Sequence, residues 1–300
     1  MGQLRRFKES DIVPLLNFCN RNMAFDQFTE PLLREKILED PDYSPENVLI
    51  YQEDDQILGF IDGVTREINN EKIGYVKLMV VEKKYRRQGI GTQLYQELEN
   101  RFKKLGMQKV RVYDVPFNYF MPGIDPRYTP ALAFFEVQGF KRFADTSNMV
   151  VDLTNQSFET KEQEKELLGQ GITIKRADYQ DRDELLSFIE EYFPLWRYEV
   201  MNAYNSIPIA IHIALVGDKI KAFSAHNGNN FGTGWFGPMG THPDLRGKGI
   251  GSILLKRCLR DMQNWGLEKS IIPWVGPIRF YSYYVNAVVD RVFWRYEKKV

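Results

Sequence analysis

The sequence is poor in the residues that build metal centres, disulfide scaffolds and membrane spans. Its 300 residues include two cysteines and three histidines. Cys19 and Cys258 fall in different halves, each on a helical pattern, so buried reduced thiols are expected rather than a disulfide. No Cys/His spacing suits zinc and no acidic cluster suits another metal, so no metal site is expected. No apolar run approaches the ~18 residues of a membrane span. Met1-Gly2-Gln3-Leu4-Arg5-Arg6 has no apolar signal core, and Arg6 stands where an N-myristoylation motif needs Ser or Thr; a cytoplasmic protein is expected. Forty basic residues balance forty acidic ones. With no net charge, neither nucleic acid nor an anionic membrane is an expected partner.

What is present is a glycine loop, twice. Thr241-His242-Pro243-Asp244-Leu245-Arg246-Gly247-Lys248-Gly249-Ile250-Gly251-Ser252 follows an apolar strand-like segment and runs into an apolar-periodic helix. Val81-Glu82-Lys83-Lys84-Tyr85-Arg86-Arg87-Gln88-Gly89-Ile90-Gly91-Thr92 repeats the arrangement. Both read R-x-x-G-x-G, and 249 minus 89 places them 160 residues apart, the signature of a duplicated domain. Backbone N–H groups at such a strand–loop–helix junction converge on one point, where the helix dipole also favours an anion. A Walker loop is excluded, because no Lys-Ser/Thr pair follows the last glycine; a dinucleotide fingerprint is excluded by Leu94 and Leu254 at its third glycine position.

The length fits two domains, and the patterning repeats in each half. In the first, a strand near Gln3–Lys8, helices over Asp11–Cys19 and Thr29–Glu39, and strands at Asn47–Gln52, Gln56–Thr65 and Lys72–Val81 precede the loop. A helix marked by Ile90, Leu94, Leu98, Phe102 and Leu105, a strand at Lys109–Val115, an aromatic loop over Pro116–Tyr128 and a helix from Thr129 follow it. Met149–Val151 is expected to close this half, giving domain boundaries of 1–153 and 171–300 around a solvated linker over 154–170. The second half runs through strands at Ile172–Arg176, Ile207–Leu215, Lys219–His226 and Trp235–Thr241, with a helix over Asp181–Phe193. Beyond its loop come a helix over Ile250–Trp265, a strand at Ser270–Val275, a helix over Pro277–Asn286 and a closing strand at Arg291–Tyr296.

The paired loops and this element order resemble the Gcn5-related N-acetyltransferase (GNAT) family. The resemblance implies two tandem α/β domains, each a central mixed, mostly antiparallel sheet flanked by helices. It implies acetyl-CoA (coenzyme A) as cofactor, with its pyrophosphate on Arg86, Arg87, Gln88, Gly89, Ile90, Gly91 and Thr92, and on Arg246, Gly247, Lys248, Gly249, Ile250, Gly251 and Ser252. Its pantetheine arm would run beside Met79 and Val81, or Met239 and Thr241, like an added edge strand. The family often places a proton-donating tyrosine on its last helix. Tyr281 stands there in the second half, whereas Phe135 in the first half has no hydroxyl; the C-terminal half is therefore expected to carry the transfer. The base stays open among Asp114, His226, His242 and a water chain. The aromatic loop with Arg127, and Trp196 and Tyr198 beside Arg197, are expected to wall the two clefts. The implied activity is acetyl transfer to a small-molecule amine. The competing reading is a non-catalytic acyl-CoA-binding or interaction protein with one or both clefts degenerate.

Overall fold

The computed structural model describes residues 2–300, so Met1 and the reading placed on it lie outside the described residues. Two compact units account for the chain. Unit 1 comprises Met1–Thr146 together with Val292–Val300, and unit 2 comprises Ser147–Arg291.

Unit 1 begins with β1 (Gln3–Arg6), α1 (Ile12–Asn22) and α2 (Glu30–Ile37). Thr29 caps α2 by accepting a hydrogen bond from the Leu32 N–H, and Pro31 sits in the first turn, where a missing N–H costs nothing. The meander follows as β2 (Val48–Glu53), β3 (Gln56–Ile68) and β4 (Glu71–Val81), paired antiparallel in the order β1-β2-β3-β4. After the first glycine loop come α3 (Ile90–Lys104), β5 (Lys109–Val112), α4 (Thr129–Val137) and β6 (Lys141–Asp152), which belongs to unit 2 from Ser147 onward. β5 joins β4 in parallel, with Ile73–Val76 against Lys109–Val112.

The sheet is covered on both faces. One core gathers Ile90, Leu94, Leu98 and Phe102 from α3 with Ile61 and Val76 from the sheet. The other gathers Leu15, Phe18, Leu33 and Ile37 from α1 and α2 with Ile50, Phe60 and Val80. The close approach of α3 depends on missing side chains: a Cβ at Gly63 would lie 2.6 Å from Leu98, and one at Gly74 would lie 2.5 Å from Phe102.

Unit 2 repeats the plan. It contains α5 (Lys161–Leu168), β7 (Ile172–Arg176), α6 (Arg182–Tyr192), α7 (Arg197–Ala203), β8 (Ile211–Val216), β9 (Lys219–His226) and β10 (Phe236–Thr241). Its second part is α8 (Ile250–Asn264), β11 (Lys269–Ile272) and α9 (Ile278–Val285), after which β12 (Val288–Lys299) belongs to unit 1 from Val292 onward. β7 to β10 form an antiparallel meander, and Trp235 bridges Ile271 in parallel where β10 and β11 meet.

The closing strands differ from expectation. Met149–Val151 pairs antiparallel with Ile271, Ser270 and their neighbours of β11, inside unit 2. The strand that completes unit 1 is the C-terminal one: Glu297, Lys298 and Lys299 pair with Arg111, Val110 and Lys109 of β5. Its side chains suit that place. The Tyr296 hydroxyl donates to Glu136 (2.7 Å), Arg295 pairs with Asp114 (2.9 Å), and Lys298 pairs with Glu99. The compact units thus depart from the expected division at 153 and 171, because each takes its last strand from the other half of the sequence.

The expected linker is also different in kind. Residues 161–168 are helical, but Leu167 is buried, and Arg257 of α8 holds both Glu164 oxygens at 2.9 Å. The segment is docked on unit 2 rather than solvated. Both cysteines are buried and free.

Candidate functional site

In unit 1, β4 and β5 run together only as far as Val76 and Val112, with the Tyr113 N–H still bonded to the Val76 carbonyl (2.8 Å). There the chain turns away, because Tyr113 adopts φ 66° and Val115 N–H folds back onto the Tyr113 carbonyl. β5 is therefore shorter than the expected strand to Val115, while β4 continues alone to Val81. Glu82 N–H donates to Leu58 O, so ladder alternation turns the backbone groups of Val81 and Met79 away from β3, toward the opened side. Two side chains reach that edge: the Tyr113 hydroxyl lies 3.5 Å from Met79 O, and Arg86 Nε donates to Val81 O at 3.1 Å.

A cavity of about 550 Å³ occupies the gap. Met79, Val81, Arg86, Arg87, Gly89, Gly91 and Thr92 border it, together with Tyr113, Met121, Tyr128 and Phe134. Seven of the nine expected cofactor residues of this half are thus brought together. Ile90 instead turns into the core, and the Gln88 amide folds onto the Lys84 carbonyl (3.3 Å). The loop enters α3 through Gly89 at φ 87°, with no side chain capping the first turn. The leading N–H groups of the helix are then available to an anion. Lys83, Lys84, Arg86 and Arg87 crowd the same loop.

Unit 2 reproduces the strand, loop and helix. His242 N–H donates to Lys221 O, so Met239 and Thr241 face away from β9 as Met79 and Val81 face away from β3. Arg246 Nε reaches the Thr241 carbonyl (3.4 Å), as Arg86 reaches that of Val81. Gly249 enters α8 at φ 78°, and Gly247 at φ 82° stands where Arg87 has φ 66°. Lys248 is exposed, Ile250 is core, and the Ser252 hydroxyl is committed to Gly249 O (2.7 Å). The third glycine of each loop fits against one methionine and one phenylalanine. A Cβ on Gly91 would meet Phe134 at 3.2 Å and Met79 at 3.3 Å; one on Gly251 would meet Met239 at 3.4 Å and Phe280 at 3.5 Å. This superimposes the last helices as well: Phe134 matches Phe280, and Phe135 matches Tyr281.

The expected catalytic groups fare differently. Tyr281 is buried against Phe236 and Phe280, and burial pushes its hydroxyl up to about 12. Asp114 does not border the cavity. Its carboxylate accepts from Arg295 Nε (3.0 Å), and burial raises it to about 7 while Arg295 pulls back. His226 is buried beside Asp261 (3.3 Å). His242 is a turn residue: its Nδ1 accepts from Asp244 N–H and its ring touches Tyr192. In the aromatic loop, Met121 and Tyr128 do wall the cleft, and the Tyr128 hydroxyl ties back to Asp26 (2.7 Å). Trp196 stacks on Phe193 (4.7 Å between centroids). The residue that sequence reading passed over is Tyr113, which lay inside the strand expected over Lys109–Val115 and stands just past the end of β5 in the structure.

Solved structures of similar shape are numerous. One is the glucosamine N-acetyltransferase region of a fungal multi-domain β-N-acetylglucosaminidase, with 18% identity and a TM-score of 0.83. The match covers 99% of this chain and 38% of that one, so this chain spans well under half the length of the fungal protein. A GCN5-related N-acetyltransferase from Sphaerobacter thermophilus matches at 18% identity over 99% of this chain and 95% of that one, with a TM-score of 0.71. A tandem GNAT protein from the clavulanic acid biosynthesis pathway matches at 11% over 100% and 98%, with a TM-score of 0.67. At these identities the likeness is one of fold. A comparison with curated proteins found no match. The model of the acetyltransferase (GNAT) family matches residues 18–140 and 177–282, which takes in both glycine loops, all of α4, and α9 as far as Ser282. With a glycine loop and a strand turned aside on each of those stretches, the chain belongs to the acetyltransferase (GNAT) family.

Proposed function

We propose that this protein is an acetyl-CoA-dependent N-acyltransferase that acylates the amine of a small molecule, with unit 1 as its principal donor site. The observation that carries the reading is the opened β4 edge, bordered by an uncapped helix N-terminus and a cavity of about 550 Å³. An extended pantetheine arm can bond to the turned-out backbone of Met79 and Val81 as a further strand does. The loop amides from Arg87 to Thr92 face the pyrophosphate position, and Lys83, Lys84 and Arg87 add positive charge nearby. Bound there, the acyl donor supplies an activated thioester; the protein aligns it and excludes water.

The C-terminal half was favoured by sequence, and Tyr281 still supports a second reading with transfer at unit 2. Its loop carries fewer cations, with Asp244 opposing Arg246 and Lys248. Asp114 is better placed as the buried partner of Arg295 than as a base for the incoming amine.

Calorimetric titration with acetyl-CoA, followed by transfer assays against amines beginning with glucosamine, tests the proposal. Binding abolished by Gly91→Trp but retained in Gly251→Trp supports unit 1; the reverse pattern moves the site to unit 2. No binding by either loop leaves a GNAT fold without an acyl-CoA function.

A further inference from the structure

Unit 1 has a phenylalanine, Phe135, where unit 2 has the Tyr281 hydroxyl on its last helix, and it carries a tyrosine on a different element. The two halves stay in register at an offset of 160 residues well beyond the loops, since Gly106 and Gly266 both end their helices at positive φ and Lys109 and Lys269 both open the next strand. That register sets Tyr113 opposite Pro273, while the last helices set Phe135 opposite Tyr281. Unit 1 therefore has a tyrosine where unit 2 has Pro273, and unit 2 has one where unit 1 has Phe135. Tyr113 and Phe135 touch, with ring centroids 6.2 Å apart and planes at 86°.

Resting on the reading of unit 1 as a donor site, we infer that Tyr113 is its proton donor, replacing the hydroxyl absent from Phe135. Its ring borders the cavity, and its hydroxyl hangs at the Met79 carbonyl on the edge assigned to the pantetheine arm. The contact is a long one at 3.5 Å, so the proton can be redirected to a closer acceptor. Its backbone is held at φ 66°, a conformation that bulky residues take up only when surroundings impose it, and such outliers concentrate at functional sites. Burial pushes the hydroxyl upward, which keeps it protonated and donating across the neutral range. In the step assigned to it, the amine nitrogen bonds to the thioester carbonyl carbon and the carbon–sulfur bond breaks with its electron pair on sulfur. Tyr113 passes its proton to that sulfur, and its oxygen recovers a proton released by the nitrogen through water, leaving an amide and a free thiol.

The test compares Tyr113→Phe and Tyr281→Phe with the parent chain, using acetyl-CoA and whichever amine of a glucosamine, polyamine and free-N-terminus peptide panel is acylated fastest. Tyr113→Phe is expected to lower kcat by about 30-fold or more, in the range of general acid catalysis, with the acetyl-CoA Kd changed by less than about twofold. A loss of that size in Tyr281→Phe instead, with Tyr113→Phe unchanged, assigns the proton to unit 2 and overturns the inference. A second readout needs no turnover: ultraviolet titration of the thiol of bound coenzyme A should move upward in Tyr113→Phe, because a donor to the thiolate has gone. Unchanged kcat and an unchanged thiol titration in Tyr113→Phe, with the parent active, overturn this inference alone. A parent chain that binds acetyl-CoA nowhere overturns the donor-site reading and this inference with it.

Discussion

Arg295, four residues before the end of β12, closes on Asp114 just beyond β5, with Nη2 and Nε at 2.9 and 3.0 Å from the same carboxylate oxygen. Residues 181 positions apart in sequence thus tie β12 to the segment that follows Tyr113. Among the described residues the other oxygen of Asp114 has no hydrogen-bond partner, and it is buried. Arg295→Met leaves a buried carboxylate uncompensated and is expected to cost about 3–5 kcal/mol at pH 8, read by chemical denaturation.

The same pair predicts a pH dependence. Asp114 titrates at about 7 in the fold, above its usual value of 3.8. The folded state therefore holds this proton more tightly, and the group's contribution is fully present below pH 4 and lost as pH rises to 7. Asp62, buried and likewise raised to about 7, acts in the same sense. Denaturation of Asp114→Asn and the parent at pH 4.5 and 7.5 should show the parent losing stability relative to the variant as pH rises. A constant difference between them rejects the assignment.

His212 is expected to stay neutral well below pH 6. Burial lowers it to about 4, against the pull of Asp261. Its Nδ1 accepts from Arg257 Nε (2.9 Å), so the proton sits on Nε2 and is donated to Asp261 (2.7 Å). Nitrogen NMR at pH 5.5 should find this Nε2–H tautomer. Because the folded value is depressed below 6.5, the stabilisation is present above pH 6.5 and lost as pH falls through 4.

Gly91→Val places methyl groups where Phe134 and Met79 already stand within 3.3 Å of a Cβ. Acetyl-CoA binding at unit 1 is expected to fall at least about tenfold, since filling a preformed pocket removes the contacts that hold a ligand. The helix itself should tolerate the change at a cost of about 1–3 kcal/mol, the usual range for overpacking. Calorimetry and thermal melting separate the two effects.

Salt should also separate the two loops. Four cations (Lys83, Lys84, Arg86, Arg87) stand in the first, whose Glu82 is already paired with Arg21, against Arg246 and Lys248 with Asp244 in the second. Exposed charges are screened over about 8 Å at physiological ionic strength, so acetyl-CoA affinity at unit 1 should weaken more steeply between 50 and 500 mM salt, to about tenfold or more. Equal slopes in Gly91→Trp and Gly251→Trp variants count against charge as the difference.

By itself the sequence determined the elements, the duplication and the loops, because these rest on local chemistry. Apolar spacing marks α3 and α8, Thr29 and Pro31 start α2, and Gly89 and Gly249 supply conformations that side chains resist. Met79, Val81, Met239 and Thr241 came from the family resemblance, and it is the register of β4 on β3 and of β10 on β9 that turns their backbone groups aside. Tertiary structure alone decided which strand closes each unit. Lys141–Asp152 and Val288–Lys299 are both twelve-residue strands following a last helix, and nothing local distinguishes staying from crossing over. It also decided that Glu164 is anchored on Arg257, that Asp114 is held by Arg295, and that the Tyr113 hydroxyl reaches the edge at Met79. Each of these depends on where two distant segments meet, and the pairing of distant segments is settled by packing rather than by the pattern of either one.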